Sequence, residues 1–498
     1  DGRTIYDRPI GAFEPIYMAG YIQDKFSFRD LIFNIGVRVD RFDANQEVLK
    51  DPYLLYRAYS VGDASSQELA DNMEGYDIPS NIENDYVVYV DNVSNPTTIT
   101  GFRDEDTWYN AQGTEILDPN TLDVGSGISP FVINPDSDRP EIEAFEDYEP
   151  QVNVMPRISF SFPISDEALF FAHYDVLTQR PTSNVVSNPS TYYFFNNISG
   201  VINNPNLKPS KTIDYELGFQ QKLTNSSSLK FSVFYREMRD DIQIFRFNGT
   251  YPKDYTSYNN IDFGTVKGLT INYDLRRTKN ARINAYYTLQ FADGTGSSTT
   301  TANALVSSGL PNLRTTNPLA WDRRHQFNVL IDYRYSEGKE YDGPVIKRSK
   351  SGKPPVQVLK NTGLSVTLTG GSGTPYTRSR NIYSQLAGAS RLLKGTYYGS
   401  RLPWQFRIDL RLDRDFFINI GKGENKRTSN LNVYFQVNNV LNTQNVLNVY
   451  PATGNPDDDG YLAAAEWQRD INDQLDPQSY RDLYAIFINR PFNYSSPR

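Results

Sequence analysis

The stretch KTIDYELGFQQKLTNSSSLKFSVFYREM, residues 211–238, alternates almost without a break. Ile213, Tyr215, Leu217 and Phe219 fall on one face of an extended chain, and Asp214, Glu216, Gly218 and Gln220 on the other. After a polar turn at 224–228 the return run repeats the pattern, with Leu229, Phe231, Val233 and Tyr235 set against Lys230, Ser232 and Arg236. Successive side chains of a strand point to opposite sides, so a period of two marks a strand held between two unlike environments. The fold turns on what meets the apolar rows, a protein core or lipid.

The same pattern recurs along the chain. One apolar row is Leu31, Phe33, Ile35, Val37 and Val39, after a less regular partner near 17–23. Others are Ile158, Phe160 and Phe162 with Ala168, Phe170, Ala172, Tyr174 and Val176, and Leu269, Ile271, Tyr273 and Leu275 with Ile283, Ala285, Tyr287, Leu289 and Phe291. Phe327, Val329, Ile331, Tyr333 and Tyr335 pair with Leu364, Val366 and Leu368, and Phe406, Ile408, Leu410 and Leu412 with Leu431, Val433, Phe435 and Val437. The opposite faces carry charges of both signs, among them Arg407, Asp409, Arg411 and Asp413. Charges repeated at that spacing require water or ion pairing. The reading is roughly a dozen strands in antiparallel hairpins.

Short links near 24–30, 163–167, 223–228 and 276–281 take turns with long ones near 43–150, 176–209, 293–322, 372–402 and 453–498. Alternate links of a meander emerge at the same end, so one end is trimmed and the other elaborate. Links near 336–360 and 413–429 are basic, with Lys347, Arg348, Lys350, Lys353, Lys422, Lys426 and Arg427. Residues 43–150 hold 24 Asp plus Glu against 4 Lys plus Arg, a net of −20 in a chain of −9, which leaves +11 for the rest. Such a segment reads first as solvated surface, and beyond that as an external surface for cations or basic ligands.

Composition narrows the function classes. The absence of cysteine removes disulfides, thiol nucleophiles and cysteine-ligated metals. No run of about 18 apolar residues is present to form a membrane helix. No nucleophile motif, phosphate loop or paired-acid arrangement stands out, so no catalytic residue is assigned and an enzyme is not expected. The positive charge is spread over turns, which argues against nucleic acid. The two histidines, His173 and His325, read as hydrogen-bonded interior residues.

Three features favour lipid over a sandwich core. The runs are about ten residues long, suited to a tilted spanning strand. Tyrosine and phenylalanine cluster at the ends of apolar rows, as at Tyr174, Tyr333, Tyr335 and Phe291. The loop asymmetry is the third. The expected fold class is therefore all-β, an antiparallel transmembrane β-barrel with long extracellular loops and short periplasmic turns, and the expected location is a bacterial outer membrane.

Particular segments carry a family resemblance. NNPNLKPSKTIDYELGFQQKL (203–223) resembles the Asn-Pro-x-Leu-Lys-Pro-Glu segment of TonB-dependent outer-membrane receptors, with Ser210 where Glu is commoner. MAGYIQDKFSFRDLIFNIGVRVDRFD (18–43), PRISFSFPISDEALFFAHYD (156–175), FGTVKGLTINYDLR (263–276), AWDRRHQFNVLIDYRY (320–335) and FQVNNVLNTQN (435–445) are similar to further segments of the family, in family order. The acidic loop and YPATGNPDDDGYL (450–462) resemble the Oar-like, carboxypeptidase-regulatory-domain-containing branch. The resemblance implies a 22-stranded barrel closed by an N-terminal plug and energised by TonB with ExbB and ExbD. No plug or TonB box is found, and INRPFNYSSPR stops on polar residues where the family continues into a closing strand. Residues 1–498 are accordingly expected to be a barrel fragment without plug or final strand, with 43–150 as an acidic extracellular insertion.

One compact motif, NPDDDGYLAAAE (455–466), has calcium-loop spacing. Asn455, Asp457 and Asp459 would stand at positions 1, 3 and 5, Tyr461 would offer its carbonyl at 7, and Glu466 would be bidentate at 12. Asn at the first position, Pro456 and the lack of a preceding helix weigh towards a plain Asp-Gly turn. The functional expectation is TonB-dependent import through a plugged barrel, with Arg407, Asp409, Arg411 and Asp413 lining the lumen. The alternative is a non-transporting barrel, an adhesin or a structural subunit of an envelope or secretion complex. Outer-membrane lipid, the protein's own plug, and a surface lipoprotein or other envelope protein are the expected partners.

Overall fold

The computed structural model describes residues 13–64, 77–137, 140–187, 189–346, 355–387, 391–420 and 427–495. Twelve strands follow one another antiparallel, in chain order, within one sheet. They are β1 (Ile16–Phe28), β2 (Leu31–Asp43), β3 (Gln151–Ser165), β4 (Ala168–Gln179), β5 (Ser210–Thr224), β6 (Ser227–Phe247), β7 (Tyr255–Thr278), β8 (Ala281–Gly294), β9 (His325–Arg334), β10 (Thr362–Gly371), β11 (Gln405–Ile420) and β12 (Arg427–Val437). The two-residue strand Asn317–Pro318 adds to β8, and β1 and β12 stand at the edges. The stretch that fixes the pattern, 211–238, forms β5 and the lower part of β6, paired from Lys211–Arg239 to Thr224–Ser227.

Register places like with like. Phe170, Phe219, Phe231, Ile271, Tyr287 and Phe327 line up across six strands. Leu275, Ile283, Ile331, Val366, Leu410 and Val437 do the same further along. The other face repeats Gln220, Lys230, Asn272, Tyr286, Asn328, Thr369 and Arg407. A slip of one residue would exchange the two faces, so this pairing is strongly specified. The apolar rows are not packed under a second sheet: Leu217 is 52 % exposed, Leu431 51 % and Phe435 70 %. In water each square ångström of that surface would cost about 25 cal/mol, a penalty that hydrocarbon removes. Among the described residues no helix is long and apolar enough to cross a membrane, and the strands carry the apolar surface instead.

The largest dry cores lie in the long links. Part of the 43–150 segment folds into a five-stranded sheet of Val87–Val90, Ile99–Asp104, Thr107–Asn110, Glu115–Ile116 and Ser129–Pro130. Val88, Val90, Ile99 and Phe102 are buried on one side of it, against Val61, Ile82 and Phe131. Tyr89, Trp108 and Leu122 pack on another core with Tyr53 and Leu55, with Tyr192, Phe195 and Ile202 from the 180–209 link, and with Phe247 and Tyr255. The latter two belong to the tall hairpin of β6 and β7, 21 and 24 residues long. Such lengths exceed the ~10 residues that span a bilayer. The hairpin rises past a bulge at Asp240, where φ is +59° and alternation lapses. The acidic segment is thus a folded module docked on a projecting hairpin, where the sequence had suggested open surface.

After β12 the chain forms a small helical unit. Asp476 caps the helix Pro477–Ile488 by accepting from the Gln478 and Ser479 amides, both at 3.1 Å, and Pro477 sits in the first turn where its missing N–H costs nothing. Tyr480, Tyr484 and Ile488, four apart, turn one stripe onto Tyr450, Tyr461 and Ile471. Lys347, Arg348, Lys350, Lys353, Lys422 and Lys426 lie outside the described residues.

Candidate functional site

Pairing of β10 with β11 sets Arg407, Asp409, Arg411 and Asp413 in a line on the polar face. Arg407 Nη2 reaches Asp409 Oδ2 at 2.8 Å. The Arg411 guanidinium carbon stands 4.2 Å from the centre of the Tyr434 ring on β12. Asp413, 5 % exposed, accepts from Arg334 of β9 and from Asn432 Nδ2 at 3.1 Å. Arg407, Asp409 and Asp413 are ion-paired along the sheet and Arg411 rests on an aromatic face, which is how one face can carry this much charge. Arg407 also borders a polar cavity of about 680 Å³ with Tyr286, Thr288, Arg323, Asn328 and Thr369.

A larger cavity, about 1460 Å³, lies between the acidic module and the upper ends of β3 to β6. Ten carboxylate side chains line it against five cationic ones. Asp104, Glu105, Asp106, Glu143, Glu146 and Glu149 come from the module, and Lys208 and Lys211 from the approach to β5. Like charges brought this close raise the local negative potential, which concentrates cations.

Arg103 anchors the wall of that cavity. It is 2 % exposed; its Nε donates to the Tyr89 hydroxyl at 2.9 Å, Nη1 to the Glu105 carbonyl at 2.6 Å, and Nη2 to Asp51. The guanidinium also lies 4.7 Å from the Tyr53 ring and 5.5 Å from Trp108. Tyr53 in turn donates to Asp106 at 3.0 Å. Burial opposes the Arg103 charge, but the Tyr89 hydroxyl and Asp51 outweigh it and hold its pKa above the ordinary value. Burial pushes the Tyr89 phenol up to about 12. The run Asp104-Glu105-Asp106 is therefore a hairpin turn tied to Arg103 and Tyr53. Sequence reading passed over Arg103, because a lone arginine in an acidic link carries no periodic signal.

In the 455–466 loop the carboxylates already have donors. Asp457 Oδ2 accepts from the Tyr494 hydroxyl and Asp459 Oδ2 from the Tyr484 hydroxyl, both at 2.5 Å. Asp459 Oδ1 accepts from the Tyr461 amide at 3.0 Å, Asn455 Oδ1 from the Asp457 amide at 2.9 Å, and Glu466 is exposed on a 3-10 turn. Among the described residues no group of three or more His, Cys, Asp or Glu side chains is placed to hold a metal.

The histidines separate. His173 is on the polar face, 3.6 Å from Glu216. His325 projects with Leu289 and Phe327 on the apolar face, where its Nδ1 and the Tyr287 hydroxyl share a hydrogen bond of 2.8 Å. Parity on β9 places it there, in place of the expected interior position.

No curated protein matches the chain. Among solved structures it is similar to the ferric-catecholate import receptor Fiu of E. coli K12, at 12 % identity over 87 % of this chain and 41 % of that one, TM-score 0.42. The outer membrane transporter YddB of Escherichia coli is similar at 10 % identity, over 87 % of this chain and 51 % of that one, TM-score 0.42. For the copper transporter OprC the values are 10 %, 89 %, 44 % and 0.38. The chain spans about two-fifths to half of the length of these proteins. The family description "TonB dependent receptor-like, beta-barrel" matches residues 15–440. The chain therefore belongs to the β-barrel family of TonB-dependent receptors, proteins of the bacterial outer membrane.

Proposed function

We propose that this chain forms wall and vestibule of an outer-membrane transporter that imports its substrate under the drive of TonB with ExbB and ExbD. Family membership and the exposed apolar belt support an outer-membrane wall; the carboxylate-lined cavity under the acidic module supports capture of a cationic substrate, such as a basic peptide. In this reading the polar face is the lumen, and Arg407, Asp409, Arg411 and Asp413 line it beside the plug. The edges β1 and β12 pair in the membrane with further polypeptide, since unpaired backbone groups in hydrocarbon cost several kcal/mol each.

The test is uptake by cells making the full-length protein. A labelled basic peptide should accumulate well above a neutral peptide of equal length, and accumulation should disappear in cells lacking TonB. Equal uptake without TonB would overturn the transport reading, and equal uptake of both peptides the substrate class. Arg407→Glu with Arg411→Glu should lower retention of the plug, read as faster proteolysis of the plug region.

A further inference from the structure

Toward the long-loop end the apolar rows stop on one sector of the wall. On β7 the residue above Leu269 is Lys267, on β8 the residue above Leu289 is Phe291, and on β9 the residue above Phe327 is His325. Lys267 is the register partner of Tyr235 on one side and of Phe291 on the other. The Arg324 guanidinium carbon lies 5.1 Å from the centre of the Phe291 ring, so two cations flank one aromatic side chain. His325 stacks on Trp404 with ring centres 5.3 Å apart, and Trp404 is 57 % exposed.

Several cations elsewhere on the sheet are matched by carboxylates. Arg38 meets Asp40 at 2.7 Å, Arg236 meets Asp214 at 3.1 Å, and Arg334 and Arg407 have aspartates of their own. Lys267 is exposed and has no hydrogen-bond or ion-pair partner among the described residues. Arg324 has one carboxylate near it, Asp322 at 3.8 Å, which Arg401 already binds; its Nε has no hydrogen-bond partner among the described residues. Along the same row Tyr174, Tyr215 and Tyr235 lie tilted against one another with centres 5.2 and 6.2 Å apart and bring no charge. Two uncommitted cations thus stand on the lipid side at the height where hydrocarbon gives way to headgroups, beside an exposed tryptophan suited to that layer.

We propose that Lys267 and Arg324 bind the phosphate of a lipid headgroup. Its acyl chains then lie along Leu269, Leu289 and Phe327, and Trp404 packs at the level of the ester groups. A guanidinium and an ammonium sharing one phosphate make charge-assisted hydrogen bonds, and the apolar rows below select a lipid over a free anion.

The test uses the full-length protein in detergent, with native mass spectrometry reading retained lipid. Phosphatidic acid should be retained and diacylglycerol of the same chains lost. Lys267→Gln and Arg324→Gln should each reduce phosphatidic acid retention about fivefold, the effect of one basic residue at a charged membrane surface. Lys222→Gln, at the far end of β5, should leave retention unchanged, and all variants should keep the folded, heat-modifiable mobility. Equal retention of the two lipids by the parent protein, undiminished retention by the double variant, or displacement by inorganic phosphate would each overturn the assignment.

Discussion

Gly363 lies directly between Arg334 and Asp413, and the arginine bonds the aspartate across it. Arg334, Gly363 and Asp413 are register neighbours on β9, β10 and β11. Arg334 Nη2 donates to both Asp413 oxygens at 2.8 and 2.6 Å, and Nη1 to Asp415 at 3.0 Å. A Cβ at residue 363 would meet Arg334 Nη2 at 2.7 Å, so only glycine leaves the passage open. Gly363→Val should displace the guanidinium and Arg334→Met remove it, each leaving the buried Asp413 with Asn432 as its remaining side-chain donor. Each should cost about 3 kcal/mol. The check is the heat-modifiable mobility shift at stepped temperatures. Full stability in both variants would mean that the pair holds nothing.

The two faces of β7 should answer differently to charge. Ile271→Arg sets a cation among Phe231 and Tyr287 on the lipid side. It should cost about 2–4 kcal/mol if the site is near the midplane. Thr270→Arg, one residue away on the polar face, should be tolerated. Folding yield into phospholipid vesicles measures both, and the opposite order would place lipid on the wrong side.

Arg103 should be the keystone of the acidic module. Arg103→Met leaves Asp51 without its partner and opens the contact with Tyr89, at a cost of about 3–5 kcal/mol. Amide exchange should rise through 87–110 while β7 and β8 stay protected. A rise in both regions would show that module and wall unfold as one unit.

Chelation distinguishes a calcium loop from a tyrosine-clamped turn. With Asp459 and Asp457 bound by Tyr484 and Tyr494, EGTA should leave the melting of the C-terminal helical unit unchanged. Tyr484→Phe should destabilise that unit by about 2 kcal/mol, the worth of a hydrogen bond to a buried charged acceptor. A drop in melting temperature on adding EGTA would favour the calcium loop instead.

The wall was legible from residue order because its signal is local. Alternation at 211–238 names both faces of β5 and β6, and parity alone sets Arg407, Asp409, Arg411 and Asp413 on the polar side. The upper parts of β6 and β7 were not legible, since a bulge at Asp240 resets the period and both faces there meet protein. Arg103, Tyr53 and Tyr89 come from separate turns and strands of one link, and His325 from the start of β9 while Trp404 lies in the link before β11; nothing in their spacing pairs them. Their meetings depend on long-range packing.

By itself the sequence determined the strands, their two faces and the family, because a two-residue period and short motifs are properties of neighbours along the chain. Tertiary structure alone decided that the acidic link is a folded module over a cavity, that Asp457 and Asp459 of the Asp-rich loop accept from tyrosines, and that Lys267 and Arg324 come up on either side of Phe291. Those outcomes depend on which distant groups arrive within hydrogen-bonding reach, and distance in space is not written in the order of residues.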